Sequence, residues 1–421
     1  IRGSVVVETL YEGMRSVTLA NGLRILVEEV PQSRSVSVSV WVNAGSRDDP
    51  EPFRGLAHLV EHLIFKGTTT RTGLGISQEI DAVGGFLDAA TGKESTFVYA
   101  DVPADGLSTA TELLLDMVLH PVFAPDKLEL ERAVVLEEIR GYDDDPEQRA
   151  FDQFIGGVWP GDHPLSRNVL GTRKAVETVT RGDIAAFHAQ VYRPANLVIA
   201  AAGALDVERL IADVERLTAA DGHAAASAPS RVAPRFQPDR HHYVQATGQT
   251  HVYIALPGPL SDDPDRYPLE VANAVLGDGT SSRLFCAVRE DRGLAYAVHS
   301  TISRYSDAGL WMAYAGVAPT SADAVADLLL AELRRLRDEP VPAGEIGLAK
   351  ARIRGSFILG LESNANRAMR LGTAAINGRA ILSPEQILAK LAAVDVDAVG
   401  GAVDRFARPE EIHLATIGPE A

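Results

Sequence analysis

Residues 193–203 read RPANLVIAAAG, and residues 408–418 read RPEEIHLATIG. Each stretch opens on Arg-Pro, runs into an apolar segment with strand character, and closes on Gly. A helix-like stretch precedes each, from Asp183 to Val191 and from Asp397 to Phe406. Pro194 and Pro409 are 215 positions apart, and so are Gly203 and Gly418. One offset shared by two landmarks is most simply an internal duplication. The chain therefore divides into residues 1–217 and 239–421, joined by residues 218–238. That joint is rich in Ala, Ser and Pro, lacks apolar periodicity, and reads as a linker.

Within each half, strand and helix patterns mix. Arg24 to Glu29 is β-rich, and from Ser35 to Asn43 the valines 36, 38, 40 and 42 alternate with Ser35, Ser37, Ser39 and Trp41. A period of two puts those valines on one face of a strand. Gly106 to Leu119 repeats apolar residues at helical spacing, and Lys127 to Ile139 does so through Leu130, Val134 and Val135. Strand blocks at both ends of each half predict an α+β fold of two homologous mixed-sheet domains, with helices packed on one face of each sheet.

The 421 residues are 46% apolar and 23% charged, enough for two domains with sizeable cores. No apolar run is long enough to span a bilayer. No basic segment followed by an apolar one opens the chain, so the expected compartment is the cytoplasm. The formal net charge of −17 argues against nucleic acid or an anionic membrane as partner and suits basic peptides. The single cysteine, Cys286, excludes an intramolecular disulfide and reads as a small core residue.

The chemistry concentrates in residues 55–68, GLAHLVEHLIFKGT. In a helix, His58 and His62 lie one turn apart on one face, a spacing that lets two imidazoles grip a tetrahedral zinc ion. Glu61 falls near that face, where a carboxylate can take a proton from water that the cation has acidified. A third protein ligand is needed, and the Lys127–Ile139 helix offers Glu131 and Glu138, seven residues apart and so on a shared face. One of the two suits the metal and the other suits orienting a histidine. A His-x-x-Glu-His pattern arises by chance in roughly a few per cent of chains this long, and a solvated helix bearing two histidines is the bland alternative.

These residues resemble the inverted zincins, the pitrilysin–insulinase–mitochondrial processing peptidase family. The resemblance runs nearly throughout residues 55–68. It implies His58, His62 and Glu138 as zinc ligands, Glu61 as general base, and Glu131 as support for a ligand. Glu138 is favoured over its neighbour Glu137 by the family's spacing of 76 positions from the second histidine. The stretch from Gly84 through Asp88, Ala89, Ala90 and Thr91 to Tyr99 is similar to the family's substrate-binding edge strand, to which an extended peptide adds by backbone hydrogen bonds. The family usually carries Asn where this chain has Asp88, and an ionised Asp accepts but does not donate.

In the second half, Leu276 to Phe285 leads to Arg289 and Tyr296, which resemble the family's Arg/Tyr pair. The resemblance implies that Arg289 binds a substrate carbonyl and Tyr296 steadies the oxyanion. The duplication offset maps His58 to Asn273, so the second half lacks metal ligands. As a whole the resemblance implies a zinc endopeptidase hydrolysing peptides or extended leader segments. Each chain would form half of a clam-shell chamber, as a homodimer or, alternatively, a heterodimer with a related chain. The rival from another class is a catalytically inactive structural or processing subunit.

Overall fold

The computed structural model describes residues 6–221 and 229–420. Among these described residues, twelve strands lie in two sheets. In chain order they are β1 (Val6–Tyr11), β2 (Met14–Thr18), β3 (Arg24–Glu29), β4 (Ser35–Val42), β5 (Phe86–Thr91), β6 (Thr96–Pro103), β7 (Leu197–Gly203), β8 (Asp239–Val244), β9 (Thr250–Pro257), β10 (Ala295–Arg304), β11 (Gly309–Val317) and β12 (His413–Gly418). The first sheet runs β1-β2-β3-β7-β4-β6-β5 and the second β10-β11-β9-β12-β8. Read from the other end, the second repeats the order β3-β7-β4-β6-β5 of the first. The offset of 215 carries β3 onto β8 and β4 onto β9 residue for residue. It also carries the parallel pair Arg24↔Val198 onto Asp239↔His413. The duplication read from two Arg-Pro landmarks is thus a repeated, mixed sheet.

Alternation on β4 sorts its side chains as expected. Val36, Val38, Val40 and Val42 enter a core with the Leu56–Ile64, Leu107–Leu119 and Val207–Leu217 helices, while Trp41 joins a smaller cluster on the opposite face. The second sheet packs Val252, Ile254 and Leu256 of β9 against the Arg266–Leu276, Ala322–Asp338 and Val396–Phe406 helices. Most helices therefore lie on one face of each sheet. One further helix covers part of the other face in each case. Asn364–Ile376 places Leu371 and Ala375 against Leu26, Trp41, Val198 and Ala200 of the first sheet. Pro146–Val158 places Phe154 on Tyr253 of the second, ring centroids 4.6 Å apart.

These two covers do not respect a linear division at residues 217 and 239. One compact unit comprises Ile1–Gly141, Asn168–Arg231 and Leu359–Ser383; the other comprises Tyr142–Arg167, Val232–Ile358 and Pro384–Ala421. Of the expected linker, residues 222–228 lie outside the described residues, and its described parts hold no helix or strand. The exchanged Asn364–Ile376 helix is bound by charge as well as packing. Arg367 and Arg370 both pair with the buried Glu28 of β3, and Tyr11 donates to the same carboxylate at 3.2 Å. At Gly372 the helix comes so close to the sheet that an added Cβ would lie 2.0 Å from the Trp41 indole nitrogen.

Candidate metal centre

The Leu56–Ile64 helix buries Leu56, Ala57, Leu59, Val60, Leu63 and Ile64, which leaves His58, Glu61 and His62 on its remaining face. Gly55 sits at its N-cap with φ +92° and has no side chain to offer the free N–H groups of the first turn. Asp49 does that work from six residues upstream, accepting from Gly55 N at 2.7 Å and Ala57 N at 2.8 Å. Burial pushes the Asp49 carboxyl up to about 7, against the pull of these amides. Gly55 also leaves room for residues 170–171: a Cβ on it would meet Leu170 O at 2.4 Å.

The Pro125–Asp143 helix faces this one with Leu128, Glu131, Val135 and Ile139 buried. Leu130 and Val134, which share the apolar helical spacing with Val135, are exposed. A carboxylate, Glu131, takes the buried slot because it has partners there. Its Oε2 lies 3.2 Å from His62 Nδ1 and its Oε1 2.9 Å from Lys66 Nζ. Glu138, two turns on, reaches the other side of the same imidazole.

His58 Nε2 and His62 Nε2 are 3.3 Å apart. Glu138 Oε2 lies 3.7 Å from the first and 3.5 Å from the second. Tetrahedral zinc with bonds of about 2.0–2.1 Å holds its ligand atoms about 3.3–3.4 Å from one another. Two imidazole lone pairs and a carboxylate converging at that separation form a donor set that fits a zinc ion. Burial, and then the neighbouring His62, hold His58 down to about 4, so at neutral pH its nitrogen keeps a lone pair. The Glu131–His62 contact matches the carboxylate that commonly orients a ligand imidazole.

Glu61 lies on the same helix face, and Thr91 Oγ1 donates a hydrogen bond to its Oε2. Burial is the chief cause raising the Glu61 carboxyl above the ordinary range. Thr91 and His62 oppose it, and Asp88 and Glu138 add to it. Thr91 ends β5, which is the edge of the first sheet and among the described residues pairs only with β6. Phe86 and Asp88 are exposed and Ala89 and Ala90 half-buried, and Asp88 Oδ1 accepts from Ala89 N at 2.8 Å. The strand that resembles the family's peptide-binding edge therefore has an open side and ends against Glu61.

Arg289 and Tyr296 belong to the second compact unit and touch each other. The guanidinium lies 4.8 Å from the Tyr296 ring centroid and donates to Tyr296 O at 2.8 Å. Tyr296 is 81% exposed, which excludes a core role for its ring. Cys286, expected in the core, is half-buried. Asn273, the counterpart of His58, is buried, and its Oδ1 accepts from the Trp311 indole at 2.9 Å. In the second half that helix position bonds to the sheet rather than to a cation. Sequence reasoning missed the Asp49 cap and the bond between Thr91 and Glu61. The acidic residue six positions before Gly55 was the only signal for the first, and nothing local signals the second.

The profile described as insulinase (peptidase family M16) matches residues 24–173, and that described as the peptidase M16 inactive domain matches residues 178–353. A Mycobacterium tuberculosis protein described as an uncharacterized zinc protease is 38% identical over 412 residues, covering 96% of this chain and 93% of that one. A Bacillus subtilis protein described in the same words is 32% identical over 406 residues, covering 96% and 98%. Among solved structures, a protease from Helicobacter pylori superposes with a TM-score of 0.90 at 21% identity, covering 96% and 99%. A structure from Pseudomonas fluorescens described as a peptidase M16 inactive domain gives 0.90 at 22%, covering 97% and 98%. Likeness at that identity speaks to the fold. Matched in order by both domain profiles, and over nearly its whole length by these relatives, the chain belongs to peptidase family M16, as a short two-domain member.

Proposed function

We infer that this chain is a zinc-dependent endopeptidase acting on extended peptides. The observation that carries this reading is the convergence of His58, His62 and Glu138, whose ligand atoms all lie within 4.8 Å of one another. A zinc ion held by these three would supply a Lewis acid for the scissile carbonyl and raise the acidity of water. Glu61 is the base. Its Oε2 is engaged by Thr91, so Oε1 takes the water proton and later returns it to the leaving amine. Burial makes this carboxylate a stronger base than an exposed one. Glu131 holds the His62 ring in place.

The open side of β5 accepts the peptide as an added strand, its side chains alternating toward and away from Asp88, Ala89 and Ala90. Arg289 binds a substrate carbonyl, and the exposed Tyr296 hydroxyl steadies the oxyanion. The net charge of −17 favours basic peptides. Because one chain carries both the His/Glu set and the Arg/Tyr pair, a homodimer closing a chamber is self-sufficient. A purified chain that sediments as a monomer while cleaving peptides would remove that part. The reading of an inactive subunit is disfavoured by the complete set of His58, Glu61, His62 and Glu138.

The test is a quenched basic peptide incubated with the purified chain, with and without a chelator, beside Glu61→Gln and His62→Ala. Expected are chelator-sensitive turnover and one zinc per chain. Zinc should be retained but turnover lost by about a hundredfold or more in Glu61→Gln, with both lost in His62→Ala. Chelator-insensitive turnover, or full turnover by Glu61→Gln, would sink the reading.

A further inference from the structure

Thr91 belongs to the edge strand, and its hydroxyl is engaged by a neighbouring side chain. It donates to Glu61 Oε2, and no other hydrogen bond to the Glu61 carboxylate exists among the described residues. The hydroxyl is backed by a second one. Thr96 Oγ1 lies 3.4 Å from Thr91 Oγ1 and donates to Ala44 O at 3.1 Å. Buried Tyr192 belongs to the same neighbourhood, since the charge of Glu61 adds to burial in opposing its ionisation.

The backbone just after Thr91 is fixed. Gly92 O accepts from Ser46 N at 3.0 Å and Lys93 O from Arg47 N at 2.8 Å. The Arg47–Glu94 ion pair, 2.6 Å and almost wholly buried on both sides, closes the same turn. Gly45 beneath it has no room for a side chain, since a Cβ there would lie 2.4 Å from Gly92 O. A hydroxyl carried by so constrained a strand end can fix a flexible carboxylate.

We propose that Thr91 is a positioning residue for Glu61 rather than a contact to substrate. It anchors Oε2 and thereby leaves Oε1 as the one oxygen that exchanges a proton. The inference rests on the endopeptidase reading for its catalytic meaning, but its geometric content stands apart. A carboxylate with both oxygens free samples several rotamers, and pinning one oxygen by a charge-assisted bond removes that freedom in advance of reaction.

The experiment compares the wild type with Thr91→Val, which keeps shape and loses the hydroxyl, and Thr91→Ser, which keeps the hydroxyl. Kinetics, zinc content and crystal structures are measured for each. Thr91→Val is expected to lower kcat by about tenfold to a hundredfold, with KM within about twofold. Its zinc content should not change. Thr91→Ser is expected to recover most of the loss. In the crystal, Glu61 should hold one rotamer in the wild type and the Ser variant, and a different or divided one in the Val variant. A raised KM at unchanged kcat would make Thr91 a substrate contact and overturn the proposal. Equal loss in Val and Ser variants would also overturn it. If the wild type shows no chelator-sensitive turnover, the endopeptidase reading fails, and the Glu61 rotamer alone decides the positioning claim. An unchanged rotamer in Thr91→Val then refutes it. Should Thr91→Val not fold, Thr91→Ala takes its place.

Discussion

His188 carries an acid-sensitive contact and is not one of the converging His/Glu set. Its Nε2 lies 2.8 Å from Val118 O, the ring stacks on Tyr192, and Phe123 meets it edge-on. Burial is the chief cause that lowers it from the usual 6.5 to about 4, with the Val118 carbonyl opposing and His120 assisting. The folded state therefore holds the ring neutral, while the unfolded chain protonates it near the ordinary value. For a group depressed in this way, the contribution to stability is full above about 6.5 and drains away as pH falls toward about 4. Replacing His188 with Gln should remove that part of the acid sensitivity. Between pH 7 and pH 4 the wild type should lose on the order of 2 kcal/mol more than His188→Gln. Unfolding curves at the two pH values check this; parallel losses in both proteins would refute it. At this scale the histidine pair was legible because helical spacing alone brings His58 and His62 together, whereas the choice of Glu138 over Glu131 came only from the family resemblance. The Glu61–Thr91 bond was not legible, since it joins residues 30 apart through a sheet edge whose placement only the fold supplies.

At the scale of elements, period was easier to read than phase. The β4 alternation and the helix at Leu56–Ile64 stand where the pattern put them. In Pro125–Asp143 the helix is present, but the buried stripe includes Glu131 and omits Leu130 and Val134. A hydropathy pattern assigns a carboxylate to the outside. The partners that admit it, His62 and Lys66, lie some seventy residues away. The Asn364–Ile376 helix shows the same limit: Leu371 and Ala375 announce a buried face without naming the sheet that covers it. Its close approach makes a direct test. Gly372→Ala forces Cβ against the Trp41 indole and should destabilise by about 1–3 kcal/mol. Gly355→Ala, in a helix with nothing within 4 Å of the new methyl, should be neutral or stabilise by about 0.5–1 kcal/mol. Thermal melts of the two variants side by side check the contrast, and equal midpoints would mean that the helix does not seat on Trp41 as described.

For the whole molecule, the duplication at an offset of 215 was open to reading, but the strand order and the exchange of segments were not. Duplication predicts two copies of a plan and is silent on which copy a connecting segment completes. A fragment of residues 1–221 carries the first sheet without Asn364–Ile376, leaving Leu26, Trp41, Val198 and Ala200 uncovered. It also carries Phe154, Ile155 and Val158 without the second sheet they pack on. Such a fragment should bind a hydrophobic dye, lack near-ultraviolet circular dichroism and melt without cooperativity. Co-expression with residues 229–421 should restore a cooperative transition. A sharp melt from the fragment alone would show that the exchanged segments are dispensable.

That exchange also sets a schedule for synthesis. The helix that caps the Trp41 face emerges from the ribosome about 160 residues after β7 ends, a delay of roughly 10–30 s at ordinary elongation rates. For that interval the nascent first sheet displays an apolar face, and holdase chaperones have a defined window in which to occupy it.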